Sequence, residues 1–334
     1  MAEKLGKATY KLTSPVVIVG SSAILGAKEA DGPFGKYFKR VIKDDTMGED
    51  SYEKAERRMM EEALFNAIKD AGLSESDVDL FVGGDLMNQI VTSSYTARSY
   101  DIPFLGVYGA CSTMAESLIV GSMFISGGFG RVVACATGSH FSSSERQFRN
   151  PLELGAQRQT YSQWTVTGMG CSVLASGGEG PRITYFTPGN VTDYGVKDIA
   201  NMGGAMAPAA MHTLCTFFKD TNTSPEDYDL IVSGDLGKLG SDVLRDLMAE
   251  RGYPLGQNYA DCGHSMYTSL QKTFQGGSGA GASASVLNSY LIEKLRKKEL
   301  KKIIFMATGA LMSTTTNQQG DSIPCVAHLV VIEA

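Results

Sequence analysis

The sequence lacks the patterns that mark metal sites and disulfide-rich proteins. It contains no cysteine pair of the C-x-x-C type and no H-E-x-x-H motif, and its four histidines are scattered. We therefore expect no metal ion and no disulfide framework, but six reduced thiols in a cytosolic compartment. The cysteines are Cys111, Cys135, Cys171, Cys215, Cys262 and Cys325.

Excess positive charge and long apolar runs are missing as well. The formal net charge is −6, so the chain has no basic field that would attract nucleic acid. The uncharged apolar stretch in the middle of the chain, residues 117–130, is shorter than the roughly 20 residues that span a bilayer. Residues 1–14 are polar, so we expect neither a signal peptide nor a transmembrane segment.

An internal repeat organises what is present. The thirteen residues from Ser74 match those from Ser224 at eight positions, at an offset of 150. The strand-like segment RVVACATGSHFS from Arg131 resembles KIIFMATGALMS from Lys302, at an offset of 171. The repeat predicts two copies of one half, residues 1–180 and 181–334. We assign most of the 21 extra residues of the second copy to residues 254–274, which include His264.

The local patterns predict the fold class, an α/β protein. Residues 50–71 carry apolar side chains at helical spacing, and Gly72 is placed to end that helix. Uncharged β-rich segments alternate with helical ones, which predicts a largely parallel sheet covered by helices. Two such sheets that share central helices would give αβαβα layers related by a pseudo-twofold axis.

Cys111 lies where a strand pattern changes to a helix pattern. Residues 104–108 read as a buried strand, Gly109 and Ala110 as a tight turn, and residues 112–124 as a buried helix. Backbone N–H groups at a helix start favour a thiolate, and an activated cysteine nucleophile is built in this way. A buried cysteine that merely packs at a helix start would give the same local pattern.

The segment 139–168 has no counterpart in the second copy. It follows a buried strand, so we expect its start to lie at the mouth of the site that contains Cys111. Its arginines, amides and tryptophan suit a small planar polyanion. An ordinary polar loop, with Glu145 and Glu153 neutralising the arginines, fits the sequence equally well. The side chains concerned are Arg146, Arg149, Gln157, Arg158, Gln163 and Trp164.

A duplicated α/β half with a cysteine at a strand-to-helix turn resembles the thiolase and ketoacyl-synthase superfamily, over residues 16–332. This resemblance implies a cysteine that carries an acyl group, assisted by a histidine and by an asparagine, a second histidine or a second cysteine. The sequence departs from that pattern, because Ser233-Gly234-Asp235 stands where one histidine is expected and Ser278 stands near another. His140 and His264 are the histidines that we consider as substitutes.

The pattern from GACSTM through ATGSHFSSSERQFR, QWTVTG, GGSG and SIPC resembles a thiolase-like family of stage V sporulation proteins from spore-forming bacteria. This resemblance implies a non-catalytic subunit that binds dipicolinic acid (pyridine-2,6-dicarboxylate), with no cofactor and with calcium only as the dipicolinate chelate. The implied role is dipicolinate uptake during sporulation and release in germination. The implied location is the forespore cytoplasm, at the surface of the inner spore membrane, together with the membrane subunits of the same transport assembly.

The candidate site combines both arguments. Cys111 holds the nucleophile position, which we expect to be vestigial, and the superfamily resemblance implies a homodimer that pairs through residues 104–108. Two alternatives stay open: an acyltransferase or condensing enzyme that uses Cys111, and a structural subunit that only docks on membrane partners. The candidate ligand-binding residues are Cys111, His140, Arg146, Arg149, Gln157, Arg158, Trp164 and Ser278.

Overall fold

The computed structural model describes residues 2–148 and 158–334. The strands in this part of the chain are β1 (Ala2–Leu5), β2 (Thr9–Leu25), β3 (Arg40–Val41), β4 (Leu80–Asp85), β5 (Phe104–Gly106), β6 (Val132–Ser139), β7 (Trp164–Thr165), β8 (Gly168–Ala175), β9 (Arg182–Thr187), β10 (Leu230–Ser233), β11 (Tyr259–Asp261), β12 (Gly277–Ser278), β13 (Lys302–Ala310) and β14 (Cys325–Glu333). The α-helices are α1 (Ala27–Ala30), α2 (Tyr52–Asp70), α3 (Val91–Ala97), α4 (Thr113–Ser126), α5 (Phe141–Phe148), α6 (Met202–Thr221), α7 (Gly237–Glu250), α8 (Cys262–Met266), α9 (Ala280–Val286), α10 (Ile292–Arg296) and α11 (Thr314–Gln318).

The repeat is visible in the order of the strands. The first copy forms the half-sheet β2-β8-β6-β4-β5 and the second forms β9-β14-β13-β10-β11, joined where β2 pairs with β9. In each half-sheet the last three strands are parallel, whereas the neighbouring pairs are antiparallel. The expectation of a largely parallel sheet is therefore wrong for half of the pairings, because β8 and β14 each run back against the strand beside them. The division of the chain at residue 180 stays a prediction.

The layers follow from what each helix contacts. α4 packs against β4 and β6 of the first half-sheet and against β13 and β14 of the second, so it lies between them. α2 covers the outer face of the first half-sheet and α6 that of the second. Each of the three helix layers has its own cluster of buried apolar side chains. The αβαβα arrangement expected from the sequence is confirmed.

Local details of the two copies match closely. Ser74 and Ser224 each cap a short 3₁₀ turn in a reciprocal capping box, with Asp77 and Asp227 respectively. The preceding helices, α2 and α6, both end at a left-handed residue, Gly72 in one copy and its counterpart in the other. The repeat thus extends from sequence identity to the backbone conformation.

The edge strands of the two half-sheets differ. β11 lies at one edge as the counterpart of β5 at the other, so β11 itself is not inserted, although residues 254–274 include it. Six residues separate β5 from α4, whereas eighteen separate β11 from α9, and most of the extra length lies there. The expectation of a buried strand at residues 104–108 is wrong, because β5 is an edge strand that pairs only with β4 among the described residues, and Leu105 is 49% exposed.

Candidate functional site

The turn that carries Cys111 is fixed by its own side chains. Cys111 lies in a 3₁₀ turn, Ala110–Ser112, that leads into α4, and the residue before it, Ala110, has a φ of 51°. A non-glycine residue in this left-handed region is strained and must be held by its surroundings. The Ser112 hydroxyl donates to the Gly109 carbonyl and the Thr113 hydroxyl to the Ala110 carbonyl, both at 2.7 Å. The sulfur is therefore held in one place at the start of α4.

The second copy touches this turn through its own Ala-Thr-Gly segment. A Cβ atom at Gly309, on β13, would lie 2.1 Å from the Gly109 carbonyl oxygen. Only glycine allows this approach, because any side chain there would collide with the backbone. The end of β13 and the Cys111 turn are thus in direct contact at the junction of the two copies.

The partner of Cys111 is a carboxyl group. The Cys111 thiol forms a hydrogen bond with Asp235, which follows β10 and is completely buried. Asp235 also accepts from the Thr308 hydroxyl at 3.0 Å and from the Gly279 N–H at 2.8 Å. Burial raises the pKa of Asp235 to about 7, although the hydrogen bonds from Gly279 and Cys111 oppose that shift. The site therefore joins a thiol to a carboxyl that exchanges its proton near neutral pH.

A small cavity of about 40 Å³ lies beside the thiol. It has apolar and aromatic walls with hydroxyl groups between them, and none of the described residues that line it is a lysine, arginine or histidine. The Ser144 hydroxyl is buried there with no hydrogen-bond partner in the described part of the chain, so it is available to a ligand. The lining residues are Leu86, Tyr108, Ala110, Cys111, Ser144, Phe148, Thr165, Met202, Ser278, Gly279, Ala310 and Met312.

A second chamber adjoins the first. It measures about 340 Å³ and is lined by residues 88–90, 106–108 and 312–313. Tyr108 and Met312 line both spaces and so form the wall between them. Of the two spaces, only the second, which we call the outer chamber, has the size of a small-molecule site, for which about 300–1,000 Å³ is typical. The space beside the thiol is the inner cavity.

The sequence profile described as stage V sporulation protein AD (SpoVAD) matches residues 6–333. A relative with that name from Bacillus subtilis (strain 168) is 43% identical over 328 residues, which cover 98% of this chain and 97% of the relative. The chain belongs to the stage V sporulation protein AD family. Membership supports a role in sporulation and confirms the resemblance drawn from the sequence.

Solved structures establish the fold of this stage V sporulation protein AD family member. A variant of OleA from Xanthomonas campestris superposes with a TM-score of 0.62 at 12% identity, covering 96% of this chain and 98% of that one. Human mitochondrial 3-ketoacyl-CoA thiolase gives 0.59 at 14% identity, covering 97% and 99%. The 3-oxoacyl-[acyl-carrier-protein] synthase III of Aquifex aeolicus VF5 gives 0.56 at 14% identity, covering 96% and 100%. At such identities the likeness shows the fold, which is thiolase-like as expected, and nothing of the chemistry.

Of the candidate ligand-binding residues, the structure brings two to the cavity. Cys111 and Ser278 both line it, and the Ser278 hydroxyl lies 3.5 Å from an Asp235 carboxylate oxygen. Segment 139–168 also lines the cavity, as expected, but through Ser144, Phe148 and Thr165 instead of its arginines. Arg149 and Gln157 lie outside the described residues.

The two described arginines of that segment face other partners. Arg146 lies on the exposed side of α5 and forms an ion pair with Glu53. Arg158 pairs with the buried Glu145 at 2.9 Å and donates to the Gln163 carbonyl at 2.6 Å. Neither arginine lines the cavity. Of the two carboxylates that would neutralise the arginines of an ordinary polar loop, Glu145 neutralises Arg158.

The tryptophan and the histidines also lie away from the cavity lining. The Trp164 ring stacks on the Phe141 ring, with ring centres 4.1 Å apart. The Lys28 ammonium lies 4.0 Å from the centre of the Trp164 ring, so the tryptophan packs beneath segment 139–168. His140 is buried, its Nε2 lies 2.8 Å from the Asp45 carbonyl oxygen, and its Nδ1 accepts from a backbone N–H. His264 is exposed on α8. The position after β10 that lacks the expected histidine instead supplies the carboxyl beside Cys111.

Asp235 and Ser144 are the functional candidates that sequence reasoning missed. The repeat held a signal for the first, because Gly-Asp-Leu recurs in both copies, at the end of β4 with Asp85 and directly after β10 with Asp235. Both aspartates are buried, which is unusual for a charged residue. Nothing in the sequence distinguished Ser144 from the serines beside it.

Two features missing from the described residues bear on metals and membranes. Within residues 2–148 and 158–334, no three His, Cys, Asp or Glu side chains are grouped so that they could hold a metal ion. No helix in the same ranges has the length and apolar character needed to cross a bilayer. Calcium bound as a dipicolinate chelate stays a prediction.

Proposed function

We propose that this sporulation protein binds dipicolinate at the cavity beside Cys111 and does not turn it over. The observation that carries the proposal is the partner of the thiol. Cys111 faces the carboxyl of Asp235, and no histidine is among the described residues that line the cavity. General-base assistance, worth roughly 100- to 10,000-fold in rate, therefore lacks its usual side chain here.

The chemistry of the walls supports a planar aromatic ligand. Tyr108 and Phe148 offer apolar ring faces, while the hydroxyls of Ser144 and Ser278 can donate to carboxylates. The Thr165 hydroxyl already donates to Glu145 at 2.8 Å. The inner cavity is too small for such a ligand, so binding requires Tyr108 or Met312 to move and join the two chambers. Calcium enters this proposal only as the dipicolinate chelate, and Arg149 and Gln157 keep their predicted ligand contacts.

We further propose that the protein works as a homodimer on the surface of the inner spore membrane. Its partners would be the membrane subunits of an assembly that moves dipicolinate into the forespore and releases it in germination. The exposed edge of β5 supports the dimer, and the family supports the sporulation context.

The test is calorimetry with dipicolinate, acetyl-CoA and malonyl-CoA side by side. We expect heat only from dipicolinate, with an affinity between micromolar and millimolar. Ser144→Ala should weaken binding by tenfold or more, since a hydrogen bond to a charged group contributes about 1.5–3 kcal/mol. Ser142→Ala is the matched control on the same helix, because Ser142 is buried but does not line the cavity. If wild type gives no dipicolinate signal, the proposal fails.

A second candidate function is acyl transfer by Cys111. The strained turn and the carboxyl that titrates near neutrality favour it, because Asp235 could accept the thiol proton. Turnover of an acyl-CoA by wild type, lost in Cys111→Ala, would establish this function in place of simple binding. A structural subunit, the third alternative, would bind none of the three ligands.

A further inference from the structure

The described residues that line the cavity beside Cys111 supply no positive charge to balance the buried carboxyl of Asp235. Asp235 lies one hydrogen bond behind the thiol, and no cationic side chain is among the residues described around the cavity. Dipicolinate is a dianion at neutral pH, since carboxylic acids titrate near pH 4. Two negative charges placed close to a buried carboxylate repel it strongly, because little water is present to screen them.

We infer that Asp235 controls the charge of this site, taking up one proton from solvent whenever a dianionic ligand binds beside Cys111. The inference rests on the proposed function and adds to it a residue that determines which ionic state can bind. The proton moves from buffer to an Asp235 carboxylate oxygen, and no covalent bond to the ligand forms or breaks. The new Asp235 hydroxyl can donate to the Cys111 sulfur.

A comparison with the neighbouring aspartate explains why Asp235 is the group that accepts the proton. Asp261 is also buried, but four donors surround its carboxylate at 2.7–3.0 Å: the Ser233 hydroxyl and the N–H groups of Leu236, Gly237 and His264. Such donors stabilise the charged form. Asp235 has two donors within 3.0 Å, and its Ser278 contact is long, so its charged form is less well supported.

The groups around Asp235 reinforce this assignment. Among the described residues, the ionisable side chains that interact with it are Cys111 from the turn and Asp261 from β11, while Asp235 in turn acts on Cys262 of α8 and Cys325 of β14. None is a cation, and the charge of Asp261 raises the pKa of Asp235 further, although burial is the main cause of that shift to about 7. At pH 6 the site is therefore already protonated, whereas at pH 8 it must gain a proton to accept the ligand.

The consequence is a specific dependence of affinity on pH. Below pH 6 the affinity for dipicolinate should be flat, and above pH 7 it should fall toward tenfold per pH unit, the limit for uptake of one proton. The carboxyls of the ligand do not titrate in this range, so the slope reports the protein.

The experiment is calorimetric titration of the full chain with dipicolinate, without calcium, from pH 6 to pH 9. Each pH is measured in two buffers with different heats of ionisation, which counts the protons taken up. Wild type should take up close to one proton at pH 8. Asp235→Asn, which keeps the size and the acceptor for Thr308, should bind with no proton uptake and with an affinity independent of pH.

Glu116→Gln is the matched control. Burial raises the pKa of Glu116 to about 7 as well, and its side chain lies near Gly109, so it titrates in the same range beside the same turn. This variant should keep the wild-type profile. If Glu116→Gln abolishes the proton uptake, or if wild type binds without any, the inference is overturned while the binding function stands. If wild type does not bind dipicolinate at any pH, the proposed function itself fails. The wild-type proton count decides the matter even if Asp235→Asn does not fold.

Discussion

At the scale of single residues, Arg158 and Arg146 provide a matched pair. Arg158 pairs with Glu145, which is almost completely buried, whereas Arg146 pairs with Glu53 at the surface. Arg158→Ala should lower the free energy of unfolding by about 1.5–3 kcal/mol, the contribution of a hydrogen bond to a charged group. Arg146→Ala should cost less than about 1 kcal/mol, as exposed ion pairs do. Urea denaturation measures both, and equal losses would contradict a structural role for Arg158.

His328 gives a prediction for stability against pH. It lies on β14, its Nδ1 accepts the Gly189 N–H at 3.1 Å, and burial lowers its pKa to about 4. Because this value lies below the unfolded value near 6.5, the neutral form stabilises the fold, and that contribution is lost as the pH falls from 6.5 to 4. Between pH 7 and pH 5 the loss should be about 2 kcal/mol.

His328→Gln should remove this part of the pH dependence, because glutamine can still accept the backbone N–H and does not titrate. His264→Gln, at an exposed histidine, should leave it unchanged. Denaturant unfolding at pH 7 and pH 5 measures the differences. The same slope in His328→Gln as in wild type would show that His328 is not the responsible group.

Residue roles at the site were only partly predictable. A turn pattern led to Cys111 and a family position to Ser278, and both line the cavity, while their roles stay predictions. Trp164 packs against Phe141 because loop side chains follow tertiary contacts, which sequence spacing does not encode. The contact between Cys111 and Asp235 joins residues of different copies, and only the folded chain reveals such a pairing.

At the scale of elements, the contribution to stability of the left-handed residue that ends α2, Gly72, can be tested directly. Gly72 has a φ of 70°, and the N–H of Leu73 bonds to the Ile68 carbonyl at 3.1 Å, which completes a Schellman motif. Gly72→Ala should lower the free energy of unfolding by about 1–2 kcal/mol, since an added Cβ meets no atom and only the backbone conformation is penalised.

Two further variants control this prediction. Gly177→Ala should be nearly neutral, because Gly177 also has open space but lacks a positive φ. Asn222, the counterpart of Gly72 with a φ of 53°, should gain stability or stay unchanged on substitution by glycine. Thermal or urea unfolding of the three variants is the measurement, and a neutral Gly72→Ala would contradict the explanation.

Elements were predicted better than their pairing. The helix now seen as α2 was found within two residues at each end, because apolar spacing and Gly72 specify it locally. Strand direction was predicted poorly, since β8 and β14 return antiparallel through connections that the sequence does not orient. The segment of β5 was predicted to be buried because it is uncharged. An edge strand that pairs with another chain has the same composition, so composition does not distinguish the two.

At the scale of the whole molecule, the duplication explains why a small amount of sequence identity predicted so much. Eight matches at one offset located equivalent strands, and the change of offset located the added residues. The junction between the copies could not be derived in the same way. Its close contacts, such as Gly309 against Gly109, depend on how the two half-sheets meet across α4.

The asymmetry between the two sheet edges predicts the oligomeric state. In the second copy the edge strand β11 is largely buried, and the added residues that include α8 follow it. In the first copy β5 has no strand beyond it among the described residues, and Leu105 is 49% exposed. An open edge with apolar side chains is a template for pairing, and a second copy related by a twofold axis would extend the sheet across both chains.

We therefore expect a homodimer by light scattering at micromolar concentration. Leu105→Lys should shift it toward monomer, because two lysines would meet across the axis, whereas Leu270→Lys, at a leucine that is 88% exposed elsewhere, should not. A monomeric wild type, or equal effects of the two substitutions, would show that β5 is not the interface.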